Sequence, residues 1–228
     1  MCGRFTLRAI DRIRLKLAGA DQFELDDLIP RFNIAPGQNI LTILDSQTPA
    51  LARMLLWGLI PSWSKEPKGF INARAETLET KPSFRESFQR RRCLIPADGF
   101  YEWKRTGRAR QAFFFQMSDE APFAFAGIWD EWRKDGVSIV SCAIVTTGAN
   151  ELLEPIHDRM PVILAEESTE LWLDPRIPTG ELRKLLEPFP AIAMKSHPVG
   201  SSVNYPEIDN EDLIKRVDAE PGTTPSLF

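Results

Sequence analysis

Between Cys93 and Thr146 the chain passes through five strand-like stretches with little but turn residues between them. They are Cys93–Ile95, Phe100–Lys104, Ala112–Met117, Phe123–Trp129 and Val137–Thr146. Aromatic and β-branched residues dominate each one, and such side chains suit a pleated, half-buried surface. The intervening gaps are too short for the crossover helix that a parallel neighbour needs, which argues against a doubly wound fold. The expectation is an α+β fold: a single domain on an antiparallel, barrel-like sheet with short flanking helices.

The rest of the chain agrees with that frame. Strand-like runs occur at Asn39–Leu44 and Leu51–Leu59, with turn residues Asp45–Pro49 between them, and a short strand is expected at Val162–Leu164. Helices are expected at Ala9–Leu17, at Lys81–Arg92 with Phe84 and Phe88 one turn apart, and as short pieces at Leu171–Leu173 and Leu182–Leu186. The stretch Arg31–Gly37 reads as irregular, closed by Pro36-Gly37, and Pro61–Pro67 as a loop carrying Trp63. No repeat or linker interrupts residues 20–210. One domain over 2–217 is therefore expected, with residues 218–228 as a flexible tail.

Composition narrows the class. With 228 residues, 43% of them apolar and including 14 Phe and 6 Trp, the chain can bury a real core; collagen, coiled coil and wholesale disorder are excluded. No run of 18 apolar residues occurs and the first residues lack a secretory apolar segment, so a cytoplasmic protein with no membrane partner is expected. Cys2, Cys93 and Cys142 are odd in number and lack CxxC spacing, which indicates neither a disulfide framework nor a zinc ribbon. With only His157 and His197 besides, a dedicated metal site is not expected, although carboxylates leave that open, and no cofactor is implied. The net charge of −4 argues against nucleic acid, but residues 81–110 carry nine cations against three carboxylates, a local +6 that leaves −10 elsewhere. That segment suits a polyanion at one face, or equally a solvated loop and helix end.

Five residues stand out chemically. Cysteine is small enough for methionine aminopeptidase to remove Met1, and a terminal Cys2 would be a 1,2-aminothiol. Its amine titrates near about 8 and its thiol near about 8.5, so each is partly nucleophilic at neutral pH. Amine and thiol together would close an aldehyde into a five-membered thiazolidine, the second bond forming intramolecularly; alternatively Cys2 is an incidental packed residue. Glu102 lies in the aromatic run Phe100-Tyr101-Glu102-Trp103, sharing a strand face with Phe100 and Lys104. There it either pairs with Lys104 in water or is buried, in which case desolvation would raise its pKa and fit it to move protons. His157 sits in a polar loop, as a surface residue or an acid–base group. Asn72 and Arg74, in Asn72-Ala73-Arg74-Ala75-Glu76, offer an amide for a developing charge and a cation for phosphate.

These residues fall within seven ordered motifs: Met1–Phe5, Arg31–Pro36, Trp57–Pro61, Asn72–Glu76, Arg92–Trp103, Ile156–Pro161, and His197-Pro198-Val199 with Asn204. The series resembles the SRAP family, the SOS response-associated peptidases regarded as abasic-site processing proteins, over nearly the whole chain. The resemblance implies that Cys2, freed of Met1, forms a thiazolidine crosslink with the ring-opened sugar of an abasic site in single-stranded DNA. The adduct would shield the lesion from nucleases and strand breakage during the DNA damage response. By motif, Asn72 would orient Cys2 or the sugar, Glu102 would move protons and His157 would assist ring opening. Arg4, Arg74 and Arg159 would contact phosphates, with Arg85 a further candidate. Asn33 and Pro36 would line the lesion pocket, Thr146 would touch backbone oxygens, and Trp63 and Trp103 would stack on bases or a duplex end. Some relatives carry a second tryptophan where this chain has Ser64.

Two other functions stay open: a cysteine-type autopeptidase that uses Cys2 and removes Met1, and a non-covalent module for single-stranded DNA. Aldehyde capture alone explains a cysteine at position 2, because it needs the free amine as well as the thiol. A monomer is expected. His197 is expected to make a structural hydrogen bond, and Cys93 and Cys142 to be core residues.

Overall fold

The computed structural model describes residues 2–12, 28–45, 51–107 and 109–218. In chain order its strands begin with β1 (Phe5–Leu7), β2 (Arg31–Ile34), β3 (Asn39–Asp45), β4 (Leu51–Trp57), β5 (Asn72–Arg74) and β6 (Arg92–Ala97). They continue with β7 (Gly99–Thr106), β8 (Ala109–Met117), β9 (Phe123–Lys134), β10 (Val137–Gly148), β11 (Arg159–Pro161), β12 (Ile163–Leu164) and β13 (Met194–Val199). Strands β4, β3, β6, β9 and β10 are each paired with the next, and β10 pairs back to β4, so these five close a barrel. The second sheet is open, in the order β13-β8-β7-β1-β2. The fold is α+β and mostly antiparallel; the exceptions are β10 with β4 and β10 with β5, which are parallel.

Local chemistry accounts for the tight joins. Asp135 (φ 50°) and Gly136 (φ 79°) both take left-handed backbone between β9 and β10, the pair of conformations a two-residue hairpin turn with the right twist requires. Within the barrel, a Cβ on Gly127 would lie 2.7 Å from Cys93 Sγ and 2.9 Å from Ile95 Cδ1, so only glycine lets β6 come this close. Cys93 and Cys142 are fully buried there, as core residues.

The helical pieces are short. Of the expected Lys81–Arg92 helix only Arg85–Arg90 is α-helical, with Phe88 packed on Trp172 at 5.8 Å between ring centroids. Arg92 explains the early stop. It opens β6, and its Nη1 turns back to the carbonyls of Phe88 and Gln89 at 2.8 and 3.0 Å, capping the helix end. The helices Thr169–Leu173 and Thr179–Leu182, and a 3₁₀ turn at Arg183–Leu186, match the other short helices in place. Of the expected Ala9–Leu17 helix, residues 10–12 are helical and 13–17 lie outside the described residues, as do 46–50 and 219–228.

Five strands carried no clear signal. The stretch Arg31–Ile34, expected to be irregular, is β2, and β1, β5, β11 and β13 also arise from three- to six-residue segments. Such pieces are too short to show a period and are strands only because a neighbour supplies the ladder. Of the expected Val162–Leu164 strand, Ile163–Leu164 form β12, and Val162 separates it from β11, which pairs with a different partner.

Strand β1 is wedged between the sheets by Phe5, which meets Trp57 and Phe125 edge-on at 5.2 and 5.8 Å. Where β1 ends, Asp98 takes over. Its buried carboxylate accepts from Thr6 Oγ1 (2.6 Å), Arg8 N (2.5 Å), Arg8 Nε (2.9 Å) and Ala9 N (2.7 Å). An asparagine there would lose the charge and turn one acceptor into a donor. Asp98→Asn is expected to lower the unfolding free energy by about 2–3 kcal/mol, read as a shift in the urea midpoint. An unmoved midpoint would show that β1 is held by packing alone.

Candidate active site

The register of β1 on β7, with Phe5 opposite Phe100 and Thr6 opposite Gly99, runs the first residues alongside the strand that bears Glu102. The amide of Tyr101 donates to Arg4 O at 3.0 Å, which continues that pairing. Cys2 is fully buried. Its carbonyl accepts from Asn72 Nδ2 at 2.8 Å, so β5, paired parallel to β10, reaches across to hold the start of the chain. Asn72 Oδ1 is buried with no hydrogen-bond partner among the described residues.

Burial decides the state of the site's acids. Glu102 is 2% exposed, so it takes the buried rather than the solvated of its two expected settings. Loss of water around its carboxylate pushes its pKa from 4.5 up to about 7. Burial also pushes the Cys2 thiol well up, and the nearby charge of Glu102 adds to this, so the thiol is protonated at neutral pH rather than partly ionised. His157 is shifted down, chiefly by burial, while Asp158 opposes the shift. Its Nδ1 lies 3.0 Å from Arg159 N and 3.0 Å from Asp158 Oδ1. Asp158 is 87% exposed and well screened, so the neutral ring prevails, with Nδ1 accepting from the backbone and the proton on Nε2.

Glu102 and His157 line one cleft of about 570 Å³, together with Trp103, Arg105, Arg110, Ile156 and Asp158. Trp103 is fixed there by its indole Nε1, which donates to Asn204 Oδ1 at 2.8 Å. A larger cavity of about 1140 Å³ lies elsewhere, between residues 117–124 and 164–170, and contains none of the cysteines or histidines.

The arginines divide by partner. Arg159 grips Glu76 with both terminal nitrogens, at 2.5 and 3.0 Å, and donates to Thr146 O at 2.7 Å; Thr146 itself is fully buried. Arg4 Nη1 turns inward to Asn33 Oδ1 (2.8 Å) and Val203 O (2.7 Å). Asn33, also fully buried, donates to Tyr205 O and Ile208 O at 3.0 and 2.7 Å, so its amide braces the 201–208 turn. Arg74 is exposed on β5 and Arg85 on its helix. Pro36 is exposed in its turn, and Trp63, 62% exposed, leans on Pro82 O at 3.4 Å; neither they nor Arg85 line the cleft. The basic segment is no uniform face. Arg91 is paired with Glu86 and Asp130, and Arg92 is buried among carbonyls. His197 has the expected structural role, with Nε2 2.8 Å from Ile214 O.

Sequence reasoning missed Glu76, Asp98 and the cleft-lining pair Arg105 and Arg110. Glu76 closes the Asn72–Glu76 motif, and Asp98 is a carboxylate set in the apolar run Leu94–Tyr101, so both were visible as residues out of place. Among the described residues no three His, Cys, Asp or Glu side chains cluster as metal ligands would, and no helix is long and apolar enough to cross a membrane.

Residues 1–206 match the family model described as SOS response associated peptidase (SRAP). The chain is 43% identical to the abasic site processing protein YoqW of Bacillus subtilis (strain 168), over 94% of this chain and 99% of that one. It is 32% identical to the abasic site processing protein YedK of Escherichia coli (strain K12), over 95% and 100%. A crystal structure of a protein from Bacteroides thetaiotaomicron superposes with a TM-score of 0.85 at 27% identity, over 95% of this chain and 100% of that one.

The raised Glu102 has a thermodynamic consequence. Folded protein keeps its proton up to about pH 7, whereas an unfolded chain releases it near 4.5. The buried carboxyl therefore costs nothing below the unfolded value, and its cost grows with pH until the folded value is passed. Glu102→Gln is expected to gain on the parent by up to about 3 kcal/mol between pH 4.5 and pH 8, measured as the difference in urea-unfolding free energy. Parallel stability profiles would mean that the carboxyl is not desolvated.

Proposed function

The chain belongs to the SOS response associated peptidase family, and from that premise we propose that it processes abasic sites in single-stranded DNA by covalent capture on Cys2. The observation that carries this reading is the 2.8 Å hydrogen bond from Asn72 to the Cys2 carbonyl, which pins the start of the chain where the charge of Glu102 acts on the thiol.

In the proposed sequence, removal of Met1 frees the Cys2 amine. The abasic sugar opens from its cyclic hemiacetal to the aldehyde, His157 Nε2–H exchanging a proton with the ring oxygen. The amine nitrogen adds to the aldehyde carbon. Both amine protons leave with the former carbonyl oxygen as water, and an imine remains. Cys2 Sγ then bonds to the same carbon while the thiol proton passes to the imine nitrogen, closing the thiazolidine. Glu102, with a pKa of about 7, is balanced between taking and giving these protons at neutral pH. Holding amine, thiol and base together replaces an encounter between separate molecules. Arg74 is the exposed cation nearest in sequence to Asn72 and suits a flanking phosphate; Arg159 has both terminal nitrogens on Glu76, and Arg4 has Nη1 on Asn33 and Val203. A thiol peptidase needs a thiolate, and the raised Cys2 thiol weighs against that alternative.

Protein shown by intact mass to lack Met1, incubated with a single-stranded oligonucleotide bearing one abasic site, should yield a heat-resistant conjugate on a denaturing gel. Cys2→Ala should abolish it, and Cys93→Ala and Cys142→Ala should retain it. Glu102→Gln should slow formation and release by roughly a hundredfold. A stable conjugate from Cys2→Ala, or none from the trimmed parent, would refute covalent capture by this residue.

A further inference from the structure

We infer that Arg105 and Arg110 form a phosphate subsite at the mouth of the Glu102–His157 cleft, taking a backbone phosphodiester of the single strand whose lesion enters it. The inference rests on the reading of the cleft given above and extends it to two residues that the family motifs leave out.

Three observations converge. Arg105 and Arg110 are directly opposite each other in the β7–β8 ladder. Like charges so placed repel across a distance that opposite charges would exploit, and an intervening anion removes the conflict. Both side chains also line the cleft, beside Trp103, Glu102 and His157. Thirdly, neither guanidinium has an ion pair or hydrogen bond among the described residues, whereas Arg8, Arg31, Arg91 and Arg159 each hold a carboxylate. The charge of Arg105 acts on His157, helping to lower it, which places that cation beside the chemistry.

The surroundings favour a phosphodiester. Trp103 and Arg105 are two residues apart on β7, as are Arg110 and Ala112 on β8, and Trp103 faces Ala112 as Arg105 faces Arg110. An indole and two guanidiniums therefore share one face of the arm, the combination by which single strands are held: a base stacks while its phosphates meet cations. The anionic groups at the same cleft are Glu102, which binds a proton near neutral pH, and Asp158, whose carboxylate is exposed and screened by water.

The test is the salt dependence of non-covalent binding to an unmodified single-stranded oligonucleotide, read by fluorescence anisotropy between 50 and 200 mM salt. Each lost phosphate contact flattens the log–log slope by about 0.7. The double variant Arg105→Gln/Arg110→Gln should flatten it by about 1.4, so that the parent loses roughly sevenfold more affinity over this range. Arg133→Gln, an exposed cation paired with Glu131 at the far end of β9, is the control and should leave the slope unchanged. The double variant should unfold at the same urea concentration as the parent or higher, since a repulsion is removed. Equal slopes in parent and double variant, or an equal flattening by Arg133→Gln, would overturn the subsite. A parent that forms abasic conjugates with an unchanged slope sinks this inference alone. A parent that forms none, with the slope flattened as expected, leaves the subsite standing and sinks the covalent reading.

Discussion

The structure depends on holding down the start of its own chain. A terminus is the part of a polypeptide with most conformational freedom to lose, and a side chain two residues from it is normally in water. Here Phe5 is driven between the sheets against Trp57 and Phe125, and Asp98 collects four donors from residues 6–9. Asn72 then holds the carbonyl of Cys2 itself. Burial of an aromatic ring supplies the energy, and the directed hydrogen bonds supply the position; neither alone would place Cys2 within a bond length or two.

Burial sets the chemistry as well as the geometry. Taking Glu102 out of water costs stability at neutral pH, and the same desolvation brings its pKa to about 7, where proton transfer in both directions is easy. The thiol beside it is pushed the other way from reactivity and stays protonated. A site organised like this suits a reaction in which the amine acts first and the sulfur follows, because the sulfur need not be a free thiolate while it waits.

The arginines show why a charge count is a poor guide to a binding face. Arg92, from the most basic part of the chain, is buried and satisfies four backbone carbonyls. Arg159 is occupied by Glu76, whose two oxygens take both terminal nitrogens in the geometry a phosphate would use. Arg105 and Arg110, inconspicuous in the sequence, are the pair that the hairpin register sets face to face at the cleft.

Much was determined by the sequence alone. The aromatic and β-branched runs from Cys93 to Thr146 mark the strands, the short turns after β7 and β9 call for antiparallel hairpins, and the ordered motifs identify the family; that β6–β7 and β8–β9 instead step between the sheets was not legible. The candidate chemistry of Cys2, Asn72, Glu102 and His157 was legible as residue types, since an unusual polar group in an apolar or terminal setting is visible without coordinates. Only the tertiary structure decided that Glu102 is buried and that the Cys2 thiol is silenced. It also decided that Arg4 and Asn33 face inward to brace the 201–208 turn, and that Arg31–Ile34 is a strand. These outcomes depend on contacts between segments tens to hundreds of residues apart. Solvent exclusion and ladder pairing belong to the assembled surfaces, and no local pattern of side chains encodes them.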